Sequence, residues 1–173
     1  MKRETILFNC PKFLLILLLI IPFPSLSNSL FQKIDIKLKN NIVLNDKNNI
    51  EKKLFNILDF NSKYVINFWA TWCIPCKKEL PDLKKMKIDN KDLKIIIISI
   101  DKKSITDQLN FLRKNKVNDL TTYFDKNMIL FKSLKLRGIP TTLLIKDQKI
   151  IAKKEGIFSY NKNSLEQVNN FFN

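Results

Sequence analysis

Apolar and polar positions change period several times along the chain, and the changes mark out elements. "FQKIDIKL" alternates apolar with polar residues and predicts a short edge strand over residues 34–38. The Asn- and Lys-rich stretch 39–49 reads as a loop with a weak strand, "IVL", inside it, followed by a short helix over about 50–58. "YVINFWA" is β-branched and aromatic and reads as a buried central strand. From Ile74 to about Met86 the pattern turns helical, with Pro81 inside it removing an amide hydrogen bond and kinking the helix. "LKIIIISI" is a near-continuous apolar run, as parallel strands covered on both faces tend to be.

A helix over about 104–115 follows, capped by Ser104 with Asp107 three residues later. "TTYF" then reads as a strand and "MILFKSLKL" as a helix. "TTLLIKDQKIIAKKEG" gives two strands joined around 147–149, a hairpin whose turn lacks Gly. The last helix starts near Ser164, with Asn163 as N-cap and Glu166 at N3. The order reads βαβαβαββα, with parallel units first and an antiparallel hairpin near the end. Crossovers of this kind place helices on both faces of one mixed sheet, an α/β domain over residues 28–173.

The first 27 residues read differently. Lys2, Arg3 and Lys12 precede an apolar run from Phe13 to Ile21 that stops at Pro22 and Pro24. That run falls well short of the ~20 residues a spanning helix needs. A basic start, a short apolar stretch and small residues at Ser25 and Ser27 suit a secretory leader, cleaved after Ser27 or kept as an inner-membrane anchor. Either way the domain is expected outside the cytoplasm, in the periplasm.

Composition changes this picture little. The net charge of +15 comes from lysines scattered among Asn and Ile along the whole chain, with no basic block or single basic helix face. Biased base composition explains the excess without any function, attraction to acidic membranes or partners is the alternative, and no nucleic-acid partner is expected. Removal of a leader takes Cys10 with it, leaving Cys73 and Cys76. Two cysteines and no His cannot close a four-ligand zinc site without borrowed carboxylates, so no metal is expected.

The chemistry concentrates in "NFWATWCIPCKKELP", Asn67 to Pro81. A strand ending at Ala70 and a helix beginning near Cys73 put the first cysteine at a helix N-terminus. Unpaired N–H groups and the positive end of the macrodipole favour a thiolate there. Cys76 lies one turn further in, near enough for a disulfide and shielded by the sheet. An exposed Cys73 that attacks and a buried Cys76 that resolves make an exchange device. A structural disulfide is the alternative, but it would close too small a loop to remove much unfolded-state entropy. Pro75 fixes a helical φ in the first turn and withholds one donor from the sulfurs. Cys76, Glu79, Leu80 and Leu83 share one helix face. There Glu79 is either a desolvated carboxyl that shuttles protons for Cys76 or a stripe-edge residue reaching water. Trp69 reads as core, and Trp72 beside the leading sulfur shields it or meets a partner.

"VINFWATWCIPCKKELPDL", followed by "LRGIPTTLLI", resembles the thioredoxin superfamily, and within it the TlpA/ResA/DsbE (CcmG) reductases. The resemblance runs from about Phe31 to the C-terminus. It implies a thioredoxin-like fold with an extra αβ insertion over 101–124, a cis Pro140, and an Ile139 backbone that pairs with an extended substrate peptide. Gly138 would give the backbone room there. Glu79 matches the branch's acidic residue three positions after the second cysteine. Asn67 stands where thioredoxin itself usually carries a buried Asp, and Ile74 departs from the Gly or Glu of many relatives.

The resemblance also implies a monomeric thiol–disulfide reductase whose only redox group is its own Cys73–Cys76 disulfide. Its expected client is the haem-attachment disulfide of an apocytochrome c, and its electron donor a membrane thiol transporter of the DsbD/CcdA kind. Three alternatives share the motif: a copper-site reductase for cytochrome oxidase assembly, a DsbA-like oxidase, and a Cu(I) metallochaperone. For the last, an absence of His and only 3 Met are poor ligand material.

Overall fold

The computed structural model describes residues 29–173; the leader or anchor expected over 1–27, and Cys10, lie outside the described residues. Three short strands open the described chain: β1 (Gln32–Lys37), β2 (Val43–Asn45) and β3 (Glu51–Lys53), with helix α1 (Leu54–Ile57) behind them. Alternating units follow: β4 (Lys63–Trp69), α2 (Ile74–Asp89), β5 (Leu93–Ser99), α3 (Ile105–Lys114), β6 (Thr121–Phe124) and α4 (Ile129–Ser133). The hairpin β7 (Thr141–Lys146) and β8 (Lys149–Glu155) and the helix α5 (Lys162–Phe172) complete the domain. All eight strands form one mixed sheet in the order β1-β8-β7-β4-β5-β6-β2-β3.

The two apolar strands read as buried are central: β4 pairs in parallel with β5 on one side and antiparallel with β7 on the other. β1 is an edge strand, as its alternation predicts. Side chains alternate across a strand, so β4 shows which helix covers which face. Trp69 stacks on Phe111 of α3, centroids 5.6 Å apart, whereas its neighbour Phe68 meets Phe131 of α4 edge-on at 5.7 Å. Asn67, on the Trp69 side, bonds Glu79 of α2. Helices α2 and α3 therefore share one face and α4 covers the other, with Val65, Ile66, Phe68 and Trp69 all buried between them.

Several sequence expectations need correction. The helix expected over 50–58 is a strand plus a single helical turn. Asp46 Oδ1 accepts from the amides of Asn48 and Ile50, both at 2.9 Å, and Asn49 adopts φ 62°. That tight turn folds β3 back on β2, and the supposed loop becomes a hairpin. The observed order is βββαβαβαβαββα: beyond the elements read along the chain it holds β3, and the weak strand "IVL" becomes β2. The last helix is capped by Asn161, not Asn163: Asn161 Oδ1 accepts from the Ser164 amide at 2.9 Å and Ser164 Oγ accepts from the Asn161 amide at 2.8 Å. Two asparagines two residues apart are equivalent by pattern, and only the backbone entering the helix separates them. Helix α2 continues through Pro81 to Asp89. The β7–β8 turn manages without Gly because Asp147 and Gln148 both take positive φ, 50° and 59°. Gln148 Nε2 pays for that conformation by donating to Leu58 O at 3.1 Å.

Candidate active site

Strand β4 ends at Trp69, and the chain turns through Ala70–Trp72 into α2. One buried carboxylate fixes this turn. Asp101 follows β5, whose Ser99 is in register with Trp69, so the ends of two adjacent parallel strands meet. Asp101 Oδ2 accepts from the Thr71 amide at 2.9 Å and the Thr71 hydroxyl at 2.5 Å, and Oδ1 accepts from the Lys103 amide at 3.0 Å. Burial alone would raise its pKa; these donors outweigh burial and hold the carboxyl below its ordinary value.

Cys73 is the N-cap of α2 and is disulfide-bonded to Cys76, with Cα atoms 5.3 Å apart. Its Sγ accepts from the Cys76 amide at 3.2 Å. Pro75 lies in the first turn and brings no N–H, and no acidic residue sits there to offset the positive end of the helix dipole. The expected contrast of an exposed and a buried sulfur is not found: Cys73 is 3% exposed and Cys76 fully buried. In the disulfide state both cysteines are covered. Trp72 beside it is 62% exposed.

Glu79 lies one turn beyond Cys76 on the same face and is fully buried, which removes the reading that it reaches water. Its Oε2 accepts from the Phe158 amide at 2.7 Å, and its Oε1 accepts from Asn67 Nδ2. Burial pushes its pKa up to about 7 against the pull of these two donors. Asn67 is itself fully buried on β4, and its Nδ2 also donates to Thr142 Oγ1 at 3.1 Å.

The Ile139–Pro140 bond is cis and leads directly into β7. Gly138, Ile139 and Trp72 line one groove of about 630 Å³, with Ile100, Met128 and Phe131 supplying further apolar wall and Lys102, Lys103 and Arg137 at its edge. The room attributed to Gly138 is open space: a Cβ there would meet nothing within 4 Å. Among the described residues no group of three or more His, Cys, Asp and Glu is placed to hold a metal ion.

Residues 33–154 match the AhpC/TSA family. The chain belongs to the AhpC/TSA family. The thiol-disulfide oxidoreductase ResA of Bacillus thuringiensis subsp. konkukian is 34% identical over 122 residues, which cover 67% of this chain and 66% of that protein. The sporulation thiol-disulfide oxidoreductase A of Bacillus subtilis is 27% identical over 108 residues, covering 60% of this chain and 65% of that protein. The chain thus spans just under two thirds of the length of these curated relatives. Among solved structures, a Chlorobium tepidum protein assigned as thiol:disulfide interchange protein DsbE superposes with a TM-score of 0.68 at 25% identity, over 82% of this chain and 99% of that one. Bacillus subtilis StoA superposes with a TM-score of 0.59 at 21% identity, over 76% and 96%. These similarities match the ResA/DsbE branch that the motifs resemble, and the thioredoxin-like fold implied by them is the fold observed.

Sequence reasoning missed Asp101, Thr71, Thr142 and the Phe158 amide. Asp101 had a signal, since polar residues just past adjacent parallel strands meet at one edge of the sheet. Thr71 lies inside the motif but finds its partner 30 residues on, and Thr142 and the Phe158 amide come from 75 and 79 residues away, where no spacing rule reaches them.

Proposed function

We propose that this protein is a thiol–disulfide oxidoreductase that works outside the cytoplasm as a reductant of protein disulfides. The observation that carries the reading is the Cys73–Cys76 disulfide at the N-terminus of α2, with a buried Glu79 one turn beyond it. In the reduced protein the Cys73 thiolate attacks one sulfur of a client disulfide. The client S–S bond breaks, a mixed disulfide forms, and the first client sulfur leaves as a thiolate that takes a proton from solvent. Cys76 then loses its proton to the Glu79 carboxylate and attacks Cys73 Sγ. The second client thiolate leaves, and the Cys73–Cys76 bond closes. Two electrons pass to the client, and a dithiol donor must restore them.

Trp72, Ile139 and Pro140 supply the client site in this reading. An extended client segment pairs with the Ile139 backbone and lays an apolar side chain against Trp72 in the groove. The haem-attachment disulfide of an apocytochrome c suits such a site, with electrons from a membrane thiol transporter of the DsbD/CcdA kind. The relatives' names support the exchange chemistry and say nothing of client or donor.

Two experiments test this. Cys76→Ala produced in the periplasm should leave clients bound to Cys73, and mass spectrometry identifies them; recovery of none contradicts the proposal. The potential of the Cys73–Cys76 couple sets the direction. A value towards about −270 mV, as in thioredoxin, fits a reductant, whereas one near −120 mV, as in DsbA, removes that part of the reading.

A further inference from the structure

The exchange cycle has Glu79 gain a proton in one step and lose it in another, yet its surroundings form a closed set of hydrogen bonds. Asn67 and Thr142 face each other in register on the adjacent strands β4 and β7, and both are fully buried. The two hydrogens of Asn67 Nδ2 go to Glu79 Oε1 and Thr142 Oγ1. Asn67 Oδ1, at the other end of the same amide, is buried without a partner. An acceptor buried without a protein partner requires a reason.

The reason lies in what Glu79 becomes. An ionised carboxylate only accepts, and the Phe158 and Asn67 donors suit that state. Once Oε1 carries a proton, a donor faces a donor. Half a turn of the Asn67 amide replaces its NH2 with Oδ1, which accepts from the Glu79 hydroxyl. Thr142, a donor or an acceptor as its hydroxyl rotates, then donates to the same oxygen. In both arrangements Glu79 and Thr142 are satisfied and one end of the amide is unpaired. Neither protonation state is locked.

We propose that Asn67 and Thr142 are positioning residues for Glu79, and that the Asn67 amide turns over as the Glu79 carboxyl gains and loses its proton. The inference rests on the exchange reading, in which the Cys76 S–H bond breaks and a Glu79 O–H bond forms before Cys76 attacks Cys73 Sγ. The groups that face Glu79 from the packed elements are few. Asp82 comes from α2, held by the Tyr160 amide at 3.0 Å, Lys154 comes from β8, and Cys76 shares the buried face of α2 with Glu79. Strands β4 and β7 contribute the uncharged Asn67 and Thr142, and the approach to α5 contributes the Phe158 amide.

Nuclear magnetic resonance on the reduced, full-length protein tests this without a substitution. The Glu79 carboxyl carbon and the Asn67 side-chain NH2 are followed from pH 5 to 9. The amide hydrogens should shift with the same midpoint as the carboxyl, and Glu79→Gln should abolish that shift. Asn67→Leu, which removes the donor to the carboxylate, should raise the Glu79 midpoint by about one pH unit. Thr142→Val should slow client release from Cys73 several-fold, while Thr142→Ser, which keeps the hydroxyl, should not. Asn67 amide signals that stay fixed while Glu79 titrates and disulfides are reduced normally would overturn the inference and leave the exchange reading standing. An amide that titrates with Glu79 in a protein that reduces no disulfide would keep the pair and overturn the exchange reading.

Discussion

In the proposed cycle Glu79 sets the pH behaviour of the site, because burial pushes its carboxyl pKa up to about 7. Below about pH 7 it is protonated and cannot accept the Cys76 proton, so release of the client should speed up as pH rises through that value. Stopped-flow measurement of the second exchange step should show this rise in the wild type and a slower, flatter profile in Glu79→Gln; identical profiles contradict the role. The same shift makes a stability statement of the opposite sense. The folded pKa of about 7 lies above the ordinary 4.5, so the native state holds a proton that the unfolded chain releases between those values. This contribution is complete below pH 4.5 and is lost as pH rises through 7, a decline of roughly 3 kcal/mol at most. Denaturant unfolding at pH 4.5 and 8 should show the decline in the wild type and little of it in Glu79→Gln. At this scale the sequence exposes residues tied by local spacing. Cys73, Cys76 and Glu79 fall within two helical turns and are legible. The Asn67–Glu79–Thr142 contact joins three elements, and only the folded sheet reveals it.

In helix α2 both the start and the approach are fixed. Cys73 replaces the usual Ser or Asp as N-cap, so the reactive atom is also the capping atom. The Thr71–Asp101 contact ties the preceding turn to β5. In Asp101→Ala the buried Thr71 amide loses its acceptor, which should cost about 1–3 kcal/mol by chemical denaturation and lower the exchange rate. Unchanged stability would show that another group holds the turn. Helix α5 separates two nearly equivalent caps: Asn161→Ala should cost about 1 kcal/mol, whereas Asn163→Ala should change stability by only a few tenths. The central strands and long helices were legible because periodicity accumulates over seven or more residues. The β2–β3 hairpin was not, since three-residue strands carry too few positions to show a period.

Across the whole molecule, the parallel units bring the Cys73 turn, the Asp101 turn and the loop before Pro140 to one end of the sheet. That end carries the groove in which Trp72 stands 62% exposed. A large indole left in water beside a covered disulfide contributes little to folding. Trp72→Ala should therefore impair client reduction while shifting stability by no more than about 0.5 kcal/mol. A stability loss of several kcal/mol would return Trp72 to a packing role. No helix among the described residues is long and apolar enough to cross a membrane. The fold class was legible from the order of elements, and the thioredoxin-like form of it from the two motifs. Which faces the helices cover follows from packing between distant residues such as Trp69 and Phe111. The most direct measurement for the account as a whole is the rate of alkylation of the reduced protein as a function of pH, followed separately at Cys73 and Cys76. We expect Cys73 to react first, with a midpoint well below the ~8.5 of free cysteine, and Cys76 to lag behind it. Equal rates at the two sulfurs, with Cys73 titrating like a free thiol, would contradict it.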